Sequence, residues 1–395
     1  MNLMLLADSF VPYSGGSRVY YYNIYKRLAQ QFGHRVTIVT KKVPGWQEFD
    51  RRECWEKFKV VRRGAPLKTW KYHELPKIAI TMAEAAGVLA SQPVDLIQTG
   101  DMYPPGIAAV WLKRLTGKPY LTFLHGDELA QMEERRFQPI LRDMVLRNAS
   151  VLVAANEFAR KKALEAGVAA AKIHLVTPGV DLERFRPEPP AEELVRRYGL
   201  AGKVVLLTAA RLAPKKGHEA VIRALAKVLP ANPNVHYLIA GDGAERRRLE
   251  ELTRTLGVAH AVTFVGDVPN EMLGAFYNLC DVFVMANRRV SGGDLETFGM
   301  VFIEANAAGK PVIGGRSGGA VEAVQHGRTG FLVDPDDTDE LAQTMALLIS
   351  NEDLRKRMGN EGLRRVRTEY TWDSRATCLH NLCIEIGRTR RRVAV

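Results

Sequence analysis

Two carboxylates, Glu296 and Glu304, frame the segment ETFGMVFIE, and Gly299 between them is a natural opening for a helix with Met300 to Gly309 as its body. Backbone N–H groups in the first turn of a helix have no partner inside it, and the dipole there favours anions. Two helical carboxylates eight residues apart span about 12 Å at about 1.5 Å per residue. That is roughly the reach from the sugar to the ribose of a nucleotide sugar. The two ends would accept hydroxyls, and the N–H donors in the middle would meet the diphosphate. Two glutamates at this spacing also arise as solvated helix charges, so the surrounding residues decide. Gly292 and Gly293 precede the segment, and Gly318 and Gly319 follow it.

Arg211 and Lys216 lie in TAARLAPKKGHEAVI, directly after the apolar run KVVLLTA. An arginine can fork onto phosphate oxygens and a lysine supplies a compact charge, so together they could neutralise a departing diphosphate. The bland alternative is an exposed basic loop. Glycines at 241, 243 and 266 follow two further apolar runs, and Val268 beside the last is a candidate contact for a nucleobase. The series GDG is not a dinucleotide fingerprint, because no G-x-G-x-x-G opens the first strand–helix turn. In the first half, Gly15 and Gly16 stand just before a helical pattern, where N–H groups could meet a phosphate or an acceptor. His125 ends an apolar run and is released by Gly126, which suits a sugar hydroxyl, and Asp127 could serve an incoming hydroxyl.

The elements that must hold these residues are short apolar runs separated by helical patterns. The first half offers residues 3–7, 36–40, 94–98, 120–124, 151–155 and 174–176. The second offers 204–208, 236–240, 262–265, 282–285, 311–313 and 330–333. Such alternation predicts parallel sheets buried between helices. The expected class is α/β, with two doubly wound Rossmann-like domains facing across a cleft. The proline- and charge-rich stretch TPGVDLERFRPEPP marks the junction. The predicted boundaries are a first, N-terminal domain over 1–178, a second over 179–369, and a C-terminal helix over 370–395 returning to the first domain. That helix would bury Leu379, Leu382, Cys383 and Ile386 on one face. Ligands of open α/β sheets bind beyond the carboxyl ends of the strands, where every candidate above lies.

Bulk properties narrow the classes. The chain has 395 residues, 46% hydrophobic and 25% charged, which suits two globular domains. No apolar run approaches the roughly 18 to 20 residues of a membrane span, and Asp8 interrupts the N-terminal run before it resembles a secretory signal. Four cysteines in this length point to a reduced, cytoplasmic protein. Cys378, His380 and Cys383 read as helix packing rather than a zinc site. Asp334, Asp336 and Asp337 read as a turn and a helix cap. The net charge is +12, and residues 1–185 hold 27 Lys+Arg against 18 Asp+Glu. A basic surface attracts phosphates, anionic lipid or nucleic acid. Residues 41–77, with Trp46, Phe49, Trp55, Phe58 and Trp70 among basic residues, and residues 133–149 could contact an anionic membrane or pack into the core.

Taken in order, the early glycine pair, HGDE, ARLAPKKG, ETFGMVFIE and the closing YTW resemble the retaining glycosyltransferases of family 4, which have the GT-B fold; the likeness covers nearly the whole chain. The stretch SGGDLETFGMVFIEANAAGKPVIGGRSGG is similar to that of bacterial phosphatidylinositol monomannoside mannosyltransferases. The resemblance implies that the first domain binds the acceptor and the second the nucleotide sugar, that Glu296, with Phe298 and Gly299, contacts the donor hexose and that Glu304 holds the ribose. It implies that Arg211, Lys216, Gly16, Met300 and Val301 bind the diphosphate, with Val268 at the base. His125 would touch the sugar, and His125, Glu296 and Asp127 form the catalytic set. No metal and no cofactor are implied. One departure is Ala320, where the family often has proline after the glycine pair; it bears on loop stiffness. The implied donor is GDP-mannose or UDP-glucose and the acceptor a lipid-linked or other glycan, at the inner face of a membrane. A nucleotide-sugar epimerase and a non-catalytic sugar–nucleotide binding module are the alternatives. No motif supports specific nucleic-acid binding.

Overall fold

The structure, a computed structural model, describes residues 1–13, 15–63, 74–126, 138–290 and 295–393. The chain divides into two compact units, residues 1–178 with 372–395, and residues 179–371. The first unit holds 31 lysines and arginines against 18 acids, and the second 25 against 26. The net positive charge therefore belongs to the first unit alone.

Runs that are apolar on both faces cannot sit at a half-wet surface, and here they fold as parallel strands covered on both sides. The first unit contains β1 (Asn2–Leu6), β2 (Arg35–Lys41), β3 (Phe58–Arg63), β4 (Leu96–Thr99), β5 (Tyr120–Leu124), β6 (Val151–Ala154) and β7 (Ile173–Leu175). They form one sheet in the order β3-β2-β1-β4-β5-β6-β7. Helices Glu74–Ser91, Ile107–Thr116 and Gln138–Asn148 set Val88, Val110 and Val145 against Met4, Leu6 and Leu124 on one face. On the other, Tyr20, Tyr21 and Tyr25 of helix Gly16–Gln31 meet Phe123 edge-on. Helix Trp372–Val393 packs beside them and buries Leu379, Leu382, Cys383 and Ile386.

Buried Gln98 of β4 is the polar pin of that face. It accepts from the Tyr25 hydroxyl and donates to Cys383 Sγ at 3.2 Å. Burial pushes the Cys383 thiol up to about 12, as suits a packed and inert group. His380 stacks on Phe32 and shares a hydrogen bond of 2.8 Å with buried His34. Burial holds His34 down to about 4, with the N-terminal ammonium and His380 adding to the effect.

The second unit contains β8 (Val204–Ala209), β9 (Val235–Ala240), β10 (Val262–Gly266), β11 (Val282–Met285), β12 (Val312–Gly315) and β13 (Gly330–Val333), ordered β10-β9-β8-β11-β12-β13 and parallel throughout. Phe276, Tyr277, Phe302 and Ile303 cover one face, and helices His218–Val228 and Thr338–Ser350 cover the other. The unit begins and ends at one place, since Val180 N donates to Tyr370 O at 2.8 Å and Val180 bridges Thr371.

Several details differ from expectation. The helix after Gly299 spans Met300–Ala307 and stops before Gly309, whose φ of 72° ends it. The strand expected at 174–176 is Ile173–Leu175. Phe49 and Phe58 pack on Phe10 and Tyr22, and Trp55 stacks on Phe58, so these aromatics serve the core. Trp70 and Phe137 lie outside the described residues. Asp337 caps helix Thr338–Ser350 by accepting from Asp339 N and Glu340 N, both at 2.9 Å.

Candidate functional site

Strand order reverses between β8 and β11 in the second unit, and between β1 and β4 in the first. At such a point the loops leaving two neighbouring strands part and open a crevice beyond their carboxyl ends. In the second unit the loop leaving β8 carries Arg211 and Lys216, and the segment following β11 carries Glu296.

The two loops are tied together by backbone contacts. Gly217 has a φ of 72°, and a Cβ there would lie 1.8 Å from the Ala286 carbonyl oxygen, so only glycine permits this approach. Arg288 N donates to Lys215 O at 2.9 Å, and Lys215 Nζ to Leu295 O at 3.3 Å. Held this way, Lys216 Nζ bonds Glu296 Oε2, with side chains 14% and 13% exposed. Arg211 is exposed and makes no side-chain hydrogen bond or ion pair among the described residues. Gly241 and Gly243 pass against the carbonyls of Ala210 and Leu212, so this GDG turn packs behind the basic loop.

Glu296 lies in a loop, three residues before the left-handed Gly299, whose φ is 78°. The two glutamates therefore do not share a helix; only Glu304 is helical. The loop is pinned by the second glycine pair. Gly319 N donates to Glu296 O at 2.7 Å, and a Cβ on Gly319 would sit 2.1 Å from Thr297 O. Phe298 points inward against Tyr370 and is buried, so its exposed contribution is backbone. Met300 and Val301 form the first helical turn, and their side chains pack on the core while their N–H groups open the helix.

Glu304 is partly buried and accepts from the Tyr277 hydroxyl at 2.8 Å. Burial raises its pKa; the Tyr277 hydrogen bond and the charges of Arg184 and Lys216 oppose that rise. Sequence reasoning missed Tyr277 and Arg184. Arg184 lies in the charge-rich stretch read as the domain junction, and a tyrosine in LGAFYNL reads as core. Val268 is half-buried after β10 and packs on the same core.

In the first unit, Gly16 is the exposed first residue of helix Gly16–Gln31. His125 follows β5, and its Nε2 bonds the Tyr21 hydroxyl, which itself donates to Gly100 O. One hydroxyl carries one proton, so His125 donates from Nε2. Asn156 donates to the His125 carbonyl at 2.8 Å and fixes the backbone. Asp127 lies outside the described residues. Among the described residues no group of three or more His, Cys, Asp or Glu side chains could hold a metal ion. His380 and Cys383 are part of the helix packing described above, and Cys378 is half-buried on the same helix.

The second unit thus sets a guanidinium unpaired among the described residues, a carboxylate-paired ammonium and a helix N-terminus at one switch point. Such a set suits a polyanion, and its carboxylates suit hydroxyls. Two family models match the chain: Glycosyltransferase Family 4 over residues 14–184, and Glycosyl transferases group 1 over residues 191–365. The chain is 31% identical over 383 residues to the GDP-mannose-dependent alpha-(1-6)-phosphatidylinositol monomannoside mannosyltransferase of Mycobacterium tuberculosis, covering 96% of this chain and 97% of that one. It is 28% identical to the mannosylfructose-phosphate synthase of Agrobacterium fabrum, over 95% of this chain and 87% of the relative. The fold matches that of Anabaena Alr3699/HepE, solved with UDP, at a TM-score of 0.81 and 21% identity, covering 98% and 100% of the two chains.

Proposed function

This chain belongs to glycosyltransferase family 4, and on that premise we propose that it moves a hexose from a nucleoside diphosphate sugar to a hydroxyl of a lipid-linked or other glycan acceptor, with retention of anomeric configuration. GDP-mannose is the favoured donor, because relatives similar over nearly the full length carry that donor in their names. UDP-glucose is the second choice. The observation that carries the reading is the Lys216–Glu296 pair at the β8/β11 switch point, beside an open Arg211.

In this reading Arg211, Lys216 and the N–H groups of Met300 and Val301 grip the diphosphate. Their charge stabilises the oxyanion that forms as the glycosidic bond breaks, without a protein-bound metal. Glu296, with the Phe298–Gly299 backbone, holds the hexose, Glu304 the ribose and Val268 the base. His125, Asp127 and Gly16 keep the roles that the family resemblance implies. The acceptor hydroxyl attacks the face from which diphosphate leaves, through an oxocarbenium-like state, and the departing phosphate takes its proton. The first unit is the acceptor domain, and its basic surface suits an anionic acceptor at a membrane's inner face. Among the described residues no helix is long and apolar enough to cross a membrane.

The test is calorimetry with GDP and UDP, followed by a transfer assay with GDP-mannose and a lipid extract. Lys216→Ala is expected to abolish turnover, and Glu304→Ala to abolish it at limiting donor by raising KM, in folded protein. Near-normal rates in both would remove the site assignment, and product formed without acceptor would point to an epimerase.

A further inference from the structure

Glu304 is held by one group outside the segments singled out in the sequence. Tyr277 lies on helix Leu273–Leu279, fully buried, with its ring edge-on to Phe185 at 5.5 Å and tilted against Phe283 at 5.7 Å. A ring gripped on two sides cannot swing, so its hydroxyl is a fixed point. That hydroxyl donates to Glu304 Oε2 at 2.8 Å, and Oε1 receives no hydrogen bond from the described residues. Arg184 supplies nearby positive charge, but its guanidinium is committed elsewhere: it lies over the Phe185 ring at 5.3 Å and donates to Asn270 O at 2.9 Å.

A glutamate on a helix has three side-chain torsions to fix before it can accept two vicinal hydroxyls. Ordering them on binding would cost affinity, and ordering them beforehand removes that cost. We propose that Tyr277 is the positioning residue for Glu304: it clamps Oε2 so that Oε1 faces outward, set to receive the ribose hydroxyls of the donor nucleotide. The proposal rests on reading Glu304 as the ribose ligand. It goes further, assigning to a core tyrosine part of the preference for ribonucleotides. A buried carboxylate left with one donor fewer would also be desolvated without compensation, so the tyrosine keeps the acceptor ready as well as oriented.

The experiment compares GDP with 2′,3′-dideoxy-GDP by calorimetry on the full chain, with the UDP pair run in parallel. Wild type, Tyr277→Phe and Glu304→Gln are measured, and melting curves confirm that each variant folds. The expected result is that Tyr277→Phe weakens GDP about tenfold and leaves the dideoxy compound unchanged. In turnover the same variant raises KM for the donor with kcat held, because the ribose is remote from the reacting carbon and contributes uniform binding. If Tyr277→Phe weakens both nucleotides equally, or neither, while Glu304→Gln weakens GDP and spares the dideoxy compound, the tyrosine is a packing residue and the proposal falls alone. If Glu304→Gln does not weaken GDP selectively over the dideoxy compound, the ribose reading itself falls and takes the proposal with it.

Discussion

Replacing Glu296 by glutamine is expected to make the protein hold nucleoside diphosphate more tightly while it transfers sugar more slowly. Lys216 Nζ is bonded to Glu296 Oε2 and both side chains are largely shielded. A phosphate entering the site must therefore take the ammonium from a carboxylate. A hydrogen bond to a charged group contributes about 1.5–3 kcal/mol and a neutral one about 0.5–1.5 kcal/mol, so the amide releases the lysine about 1 kcal/mol more easily. The carboxylate and the incoming phosphate also repel. At about 6 Å and an effective dielectric near 20 that is about 3 kcal/mol before salt, and about 1 kcal/mol after discounting for residual exposure. Together the two effects tighten GDP by about ten- to thirtyfold. The sugar loses its carboxylate contact, and kcat falls by about a hundredfold or more. Lys216→Ala works in the opposite sense. It leaves a shielded carboxylate without its cation, destabilises the fold by about 2–3 kcal/mol, and weakens GDP. Calorimetry at 0.15 M salt and single-turnover kinetics read both variants. A Glu296→Gln protein that melts normally and binds GDP no better than wild type would refute the competition between carboxylate and phosphate for Lys216.

Glu304 has its pKa raised by burial, so the folded state binds more protons than the unfolded one across that window, and stability falls as pH rises through it. Glu304→Gln is accordingly expected to melt higher than wild type at pH 7 to 8 without ligand, with the gap closing in acid; a melting-temperature series against pH checks this. His34 has the opposite slope. Its folded value is about 4 against an ordinary value of 6.5, so acidification through that interval costs roughly 2–3 kcal/mol, and His34→Gln should flatten the denaturation profile there. Gly217→Ala places a methyl 1.8 Å from Ala286 O at a left-handed backbone, and a loss of about 3 kcal/mol or more is expected in urea melts. Gly319→Ala meets Thr297 O and should displace the Glu296 loop, lowering GDP affinity more than it lowers the melting temperature.

Most strands were legible because a parallel strand covered on both faces is apolar throughout, as in residues 204–208 and 282–285; β3 was not among the expected runs, because FKVVRR is half basic. The cap at Asp337 was legible because an aspartate before a helix has one obvious partner set. Gly299 was legible as the start of a helix, and it caps Met300–Ala307; the path of the Glu296 loop before it was not legible. Glycine at 299 could open a helix or turn the chain, and the turn is enforced by Gly318 and Gly319, twenty residues away. Phe298 shows the same limit, since the packing of its ring on Tyr370 has no local signal in the sequence. Tyr277 could not be found at all from sequence. Its hydroxyl acquires meaning only from Glu304, 27 positions later on another helix.

The clasp of Val180 with Tyr370 and Thr371 has a practical consequence. Residues 179–371 enter and leave their fold through adjoining backbone, as a guest domain does within a host, whereas the host is completed only by the final helix. A recombinant fragment over 179–371 should therefore fold as an autonomous cassette and retain nucleotide selectivity. Cutting the chain after Thr371 should instead uncover the tyrosine face of the host and send it into aggregates.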